Sequence, residues 1–366
     1  MKNINRIVFK FGTNILRNDL GEISLAHLYS FIEDISRLYK EGKEILIVTS
    51  GAIGLGAKKL NISCDTTTNK QAAASVGQPM LMGIWQDGFE KYGITTAQIL
   101  LVEDDFSSRR KYLSLRLTLS KLLENGVIPI INQNDTVSPT ECERASFSDN
   151  DKLSSIVASK LDADLLVLVS DIDGLYDKNP KEYKDAKLIK LVDKITPKIE
   201  KMATGASIGG RGGMITKLIG AKVATTSGVT VKIVNGKTPN IINKILDENI
   251  GTTFLPNRNL SHKKRWIAYA TNIMGEIKVN DGAYQAIKDN QKSLLSVGIV
   301  GVNGEFKKGE IISIVDKQNV EFARGITNYS SIDIEKIKGC HSDKIEEILG
   351  YKYDDDVVIK DNLVLI

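Results

Sequence analysis

Cysteine and histidine are both scarce in this chain, three of each in 366 residues. Cys64, Cys142 and Cys340 lie far apart, are odd in number and fit no metal-ligand spacing. A disulfide framework or zinc cluster is therefore not expected, and a reducing, cytoplasmic setting is. His27, His262 and His341 are equally dispersed, which argues against a histidine-centred triad. Long apolar runs are missing too. The best, Leu165–Val169, has the length of a buried strand and falls far short of the ~20 residues a spanning helix needs. The opening MKNINRIVFKFG passes directly into a strand-like pattern with no secretory apolar region. Two nucleotide fingerprints are also lacking. Gly51–Gly56 reads GxxGxG, not GxGxxG, with no acidic ribose-binding position about 20 residues on, which disfavours a nicotinamide enzyme. The common P-loop needs Gly and Lys adjacent, whereas Thr216 precedes Lys217. No internal repeat, low-complexity tract or heptad seam is present.

What is there describes a globular protein of two domains. The hydrophobic share is 42% and the charged share 26%, and the length suits two domains at roughly 150 residues each. Charge is segregated. Residues 275–366 carry 12 Lys and Arg against 16 Asp and Glu, which leaves 37 against 29 of the totals of 49 and 45 for residues 1–274. The positive part is the one expected to gather anionic ligands; solubilising surface lysines would explain the sign but not the segregation. From Arg6 to about Val234, short apolar runs alternate with longer amphipathic segments. Strands are predicted at Ile7–Phe11, Ile45–Thr49, Thr96–Leu101, Val127–Asn132, Leu165–Ser170 and Thr230–Val234. Several are apolar without alternation, the mark of parallel strands covered on both faces. Leu25–Lys40 and Arg109–Glu124 read as helices, the latter with leucines at 113, 117 and 122. This βαβ rhythm points to an α/β fold, doubly wound or layered. Gly251–Ile267, with Pro256 and the basic cluster Lys263–Arg265, reads as a linker. Beyond Gly275 the texture becomes short β-type runs, broken by helices at Ser331–Lys338 and Asp343–Leu349.

Chemistry gathers at the predicted strand ends. Gly209–Lys217, GGRGGMITK, places four glycines in five residues ahead of a helix-like run with Lys217 near its first turn. Glycine lets backbone N–H groups close on a bulky anion, and a helix N-terminus adds its dipole; a flexible surface loop is the plain alternative. Lys10, inside the strand IVFKFG, is costly to bury unless its ammonium meets an anion. At a strand's C-terminal end it would face the crevice where α/β proteins bind ligands, while a protective lysine on an edge strand is the alternative. Ser50-Gly51-Ala52 forms a strand–turn–helix junction able to hold a carboxylate or phosphate, or simply to pack small residues closely. Asn132, Asn134 and Asp135 follow VIPII, and Asp149-Asn150-Asp151 opens the helix DKLSSIVASKL. Helix capping accounts for one of these acidic residues; together the two clusters could bind an ammonium and orient lysines. Ser170-Asp171 ends LLVLV, and Asp173 and Gly174 carry turn chemistry.

In this order KFGTN, TSGAIGLG, INQND, SDNDKLS, SDIDGLYDKNP and GGRGGMITK closely resemble the amino acid kinase family, in the branch that acts on free glutamate. The resemblance covers nearly the whole chain, because the acidic C-terminal part looks like the PUA domain many bacterial members of that branch carry. It implies an α/β/α-layered, mainly parallel sheet with a second, small, mostly-β domain. The expected boundaries are 1–258 for the kinase domain, 259–274 for a linker and 275–366 for the PUA-like domain. The implied reaction is ATP-dependent phosphorylation of the γ-carboxyl of L-glutamate to an acyl phosphate, the first step toward proline, with Mg2+ bridging the ATP phosphates. Carried over motif by motif, Lys10 and Lys217 flank the transferring phosphoryl group and Asp151 holds both. By the same resemblance, Ser50, Asp135 and Asn150 would bind glutamate, and Lys10, Ser170, Asp171, Arg211, Gly212, Gly213, Met214, Ile215, Thr216 and Lys217 would bind ATP. A cytoplasmic homo-oligomer (dimer or tetramer) inhibited by proline near the glutamate site is also implied. Departures are Arg211, where many relatives have a small hydroxyl residue, Gln133 in place of an acidic residue, and a slightly long segment between Asp135 and Asp149. Rival readings are a kinase of the same fold acting on aspartate, N-acetylglutamate, carbamate or a nucleoside monophosphate, and an RNA-binding or RNA-modifying protein. The tail's negative charge and its lack of a basic, aromatic-rich stripe weigh against the last.

Overall fold

The computed structural model describes residues 4–18, 23–106, 109–137, 150–180, 182–204, 213–246, 250–256, 262–268 and 273–366. The chain divides into two compact units, Met1–Asn259 and Leu260–Ile366. The first is built from β1 (Arg6–Phe11), α1 (Leu25–Lys40), β2 (Glu44–Val48), α2 (Ala52–Leu60), α3 (Thr67–Glu90), β3 (Thr96–Leu101), α4 (Arg109–Glu124) and β4 (Ile128–Gln133). It continues with α5 (Asn150–Lys160), β5 (Leu165–Ser170), β6 (Leu191–Val192), α6 (Pro197–Thr204), α7 (Met214–Thr226), β7 (Thr230–Asn235) and β8 (Thr252–Phe254). The sheet order is β3-β4-β2-β1-β5-β7-β8-β6, and every pairing is parallel except β7 with β8.

Strand alternation sorts the side chains into two cores. Val8, Leu46, Val48, Ile131, Leu166 and Leu168 face one way and pack with Leu153, Ile156 and Val157 of α5 and with Leu218, Ala221 and Ala224 of α7. Ile7, Phe9, Phe11, Ile45, Ile47 and Ile130 face the other way, against α1 and against Leu81, Trp85 and Phe89 of α3. Each such side chain contributes about 1.5–3 kcal/mol on full burial, so both faces must stay covered and the strands read as continuous apolar runs. On α4 the buried side is Tyr112, Leu119 and Leu123, while Leu113 and Leu117 are exposed.

The sheet also decides where a ligand can lie. From β1 the chain goes through α1 to β2 on one side, whereas β5 lies on the other side of β1 and leads on to β7 through α7. The two connecting helices cover opposite faces of the sheet. The gap beyond the C-terminal ends of β1 and β5 is thus a topological switch point, the place where open α/β sheets bind ligands.

The second unit has its own core around Ile277, Ile312, Ile314, Phe322, Tyr329 and Ile334. Its elements are α8 (His262–Ala268), β9 (Glu276–Val279), α9 (Asp281–Lys288), β10 (Leu294–Leu295), β11 (Ile299–Asn303), β12 (Ile311–Val315), β13 (Glu321–Ile326), α10 (Ser331–Ile337), α11 (Ile345–Leu349), β14 (Asp356–Val358) and β15 (Leu363–Leu365). A five-stranded, mostly antiparallel sheet runs β11-β9-β12-β13-β15. The stretch read as a linker contains α8, whose Trp266, Ile267 and Ala268 are buried, and Arg324 Nη1 donates to the Ala268 carbonyl.

Candidate active site

Lys10 shares its strand face with Val8, so it points toward α5 and not into the opposite core. Its ammonium meets Asp151 Oδ1 at 2.6 Å, in the first turn of α5. The other oxygen of that carboxylate, Oδ2, accepts from Lys217 Nζ at 3.1 Å and from Thr216 Oγ1 at 3.2 Å. Asp151 is fully buried, and Lys10 and Lys217 are 4% and 6% exposed. Burial alone would raise the Asp151 pKa, but the two ammonium groups outweigh it and hold the carboxyl below its ordinary value. The arrangement depends on close helix packing. A Cβ on Gly220 would lie 2.6 Å from Ser155 Oγ and 3.1 Å from the Asp151 carbonyl oxygen, so glycine lets α7 approach α5 and bring Lys217 within reach.

Beside this triad, Ser50 and Gly51 follow β2. Gly51 adopts φ 109°, a left-handed conformation open to glycine, and α2 starts immediately after it. α2 then lies against α3 with almost no gap: a Cβ on Gly56 or Gly77 would stand 1.8 Å from a backbone oxygen of the other helix. The close packing proposed for these small residues is therefore helix on helix. Asn150 Nδ2 donates to the Thr49 carbonyl (2.7 Å), Ser50 Oγ (2.7 Å) and Asn132 Oδ1 (3.0 Å). Asn132, next to last in β4, is buried and donates from Nδ2 to Gln78 Oε1 at 2.8 Å. Asp135 lies just beyond β4, and burial pushes its carboxyl up to about 6. Asn134 contributes its backbone N–H to the Leu101 carbonyl.

On the other side of β1, Ser170 is the last residue of β5. Asp171 accepts from Asn14 Nδ2 (3.1 Å) and from Ser170 Oγ (3.3 Å). Burial raises the Asp171 pKa, but Asn14, its own backbone N–H, Ser170 and the charge of Lys217 bring it below the ordinary value. Asp173 is held by Asn235 and Tyr176, and Gly174 packs against Thr252, which is turn architecture. Gly213 sits ahead of α7 in an extended conformation with no side-chain cap, leaving the first N–H groups of a 13-residue helix for another acceptor. Arg211 and Gly212 of the expected phosphate loop lie outside the described residues, as does Asp149. Met214 is buried, and Ile215 is exposed beside it. Among the described residues, no group of three or more His, Cys, Asp or Glu could hold a metal ion.

The fold thus brings Lys10, Asp151 and Lys217 onto one carboxylate, sets Ser50 and Asn150 in direct contact, and puts Ser170 and Asp171 at the end of the strand next to Lys10. Two residues escaped the sequence reading. Asn14, inside KFGTN, had no assigned partner, and Gln78 lies in a run of small residues that gave no period to read.

Comparison with known proteins followed the same division. Residues 5–235 match the model of the amino acid kinase family, and residues 275–349 match that of the PUA domain. The chain is 46% identical over 366 residues to a glutamate 5-kinase of Caldanaerobacter subterraneus subsp. tengcongensis, with 99% of this chain and 98% of that protein covered. It is 45% identical to a glutamate 5-kinase of Methanosarcina barkeri, with 99% and 97% covered. A structure of carbamate kinase from Giardia lamblia bound to AMP-PNP superposes with a TM-score of 0.53 at 15% identity, over 70% of this chain and 100% of that one, a likeness of fold.

Proposed function

The chain belongs to the amino acid kinase family, and from that premise we propose that it transfers the γ-phosphoryl group of ATP to the γ-carboxylate of L-glutamate, giving L-glutamyl 5-phosphate and ADP. The observation that carries this reading is the single buried carboxylate of Asp151 holding the ammonium groups of Lys10 and Lys217 at the switch point of the sheet. An oxygen of the γ-carboxylate attacks phosphorus, the bond from phosphorus to the β,γ-bridging oxygen breaks, and the electron pair leaves on ADP. No proton has to be removed from the nucleophile, so positioning and charge neutralisation carry the catalysis. Lysine suits this task because it stays cationic at neutral pH. Lys10 and Lys217 meet the negative oxygens as they close on each other, and Asp151 keeps the two cations from repelling.

ATP fits the groups present. Its phosphates suit the uncapped start of α7 with Lys217 in the first turn, and Ser170 and Asp171 lie where the rest of the nucleotide would run. Arg211 and Gly212 complete that loop in the proposal. Mg2+ taken up together with the nucleotide would supply further charge neutralisation at the phosphates. Ser50 and Gly51, at the start of α2, would receive the acceptor's carboxylate, while Asp135 and Asn150 would receive its ammonium. The reading includes a homo-oligomeric cytoplasmic enzyme at the first step of proline synthesis, with proline competing at the glutamate pocket. It places the kinase domain in residues 1–258 and the PUA-like domain in residues 275–366.

ADP release measured with glutamate, N-acetylglutamate, aspartate, carbamate and UMP as acceptors tests the proposal. Turnover with glutamate is expected. Activity confined to any other acceptor would overturn it.

A further inference from the structure

Gln78 lies on the buried side of α3, two turns before Trp85, whose Nε1 donates to Thr49 Oγ1 at 3.1 Å. One helix face therefore supplies two polar anchors to the strand ends beneath the acceptor pocket. Gln78 is 7% exposed; its Oε1 accepts from Asn132 Nδ2, and its Nε2 is buried with no hydrogen-bond partner among the described residues. An unmet buried donor is costly, and turning the two amides over would satisfy it. The backbone forbids that turn. The N–H of Gln133 donates to Asn132 Oδ1 at 2.9 Å, and a backbone N–H cannot be turned over. With Asn132 Oδ1 held there, Asn132 Nδ2 must face Gln78, and Gln78 must answer with its oxygen.

The same constraint reaches Asn150. Its Nδ2 faces two oxygens that can only accept, Asn132 Oδ1 and the Thr49 carbonyl. Asn150 Oδ1 is left as an acceptor without a partner among the described residues. An amide carbonyl held in this way suits a positively charged donor.

We propose that Gln78 is a positioning residue for the acceptor substrate, fixing the amides of Asn132 and, through it, Asn150, so that Asn150 Oδ1 receives the α-ammonium group. This rests on the reading of the pocket as a glutamate site. The residue selects for a free amino group and takes no part in phosphoryl transfer. Once the Gln78 oxygen is removed, Asn132 Nδ2 becomes a buried donor without its acceptor, its amide shifts, and the Oδ1 that is one of the two acceptors orienting the Asn150 NH2 moves with it.

The test compares glutamate with glutarate, the same diacid without the amine, in the full-length enzyme. Gln78→Met keeps the volume and removes the acceptor. Its KM for glutamate is expected to rise about tenfold, the loss typical of one hydrogen bond to a charged group. The inhibition constant of glutarate, the KM for ATP and the melting temperature should stay near wild type. Gln78→Glu keeps an oxygen facing Asn132 and should restore the preference for glutamate over glutarate. Equal weakening of glutamate and glutarate, or no change in either, would overturn the positioning role. If the wild-type enzyme releases no ADP with glutamate, the reading of the pocket falls and this proposal with it.

Discussion

At the scale of single residues, the site is governed by how charge is shared. Asp151 stays ionised because two cations outweigh its burial, whereas Asp135 has burial alone acting on it and is held at about 6. The two carboxylates therefore answer differently to acid. As pH falls through about 6, Asp135 gains a proton and loses its attraction for an ammonium group, so kcat/KM for glutamate should fall along a limb centred near that value. A profile recorded with Asp135→Asn should lack the limb. The sign for stability is opposite to that for binding. A carboxyl whose folded pKa lies above its unfolded value makes the folded state less stable once ionised, so Asp135→Asn should bind glutamate more weakly at pH 7 without melting earlier. In the proposed mechanism Lys217→Met removes a cation aimed at the transferring group, and it should lower kcat by roughly 10²–10³ with a smaller effect on the KM for ATP. Steady-state kinetics with unchanged kcat would remove Lys217 from the mechanism.

Among secondary-structure elements, glycine decides how near two helices can come. Gly220→Ala would press on Ser155 and the Asp151 carbonyl, moving α7 off α5 together with Lys217. Overpacking of this kind costs about 1–3 kcal/mol, and kcat should fall in step with it; a variant with lowered melting temperature but wild-type kcat would separate the packing from the site. Much at this scale was legible beforehand. Helices α1 and α4 begin and end where the pattern put them, since their charged and apolar residues alternate strongly, and the apolar strands were plain from their continuity. Helix α3 was not, although it runs for 24 residues. Its first five residues are polar, residues 72–77 are alanine, serine, valine and glycine, its middle holds Pro79, and its apolar anchors Leu81, Trp85 and Phe89 come late. Small residues serve contact between helices as well as apolar ones do, but leave no period to read. Gln78 was lost with it: a buried amide makes sense only once Asn132, from a distant strand, is seen opposite.

For the whole molecule, the two units each bury a core of their own, and every group assigned to chemistry lies in the first. A chain ending at Asn259 is expected to retain glutamate-dependent ADP release of the same order as the full chain; its loss, with the fragment still folded by circular dichroism, would give the second unit a part in catalysis. The change of texture near Gly275 was visible from the sequence, but α8 was hidden under a basic cluster that reads as solvated linker. The site itself was legible as six motifs in order. That Asp151 serves both lysines was implied by the family resemblance alone; composition and spacing do not show it, because Lys10, Asp151 and Lys217 are joined only by folding.

That sharing leaves a remainder. Within the Lys10–Asp151–Lys217 cluster two cations face one anion, a local surplus of positive charge walled by low-dielectric core. Such a well draws in polyanions from a distance, so added sodium chloride should slow nucleotide capture far more than it slows turnover at saturation. Stopped-flow association rates at rising ionic strength would register the difference.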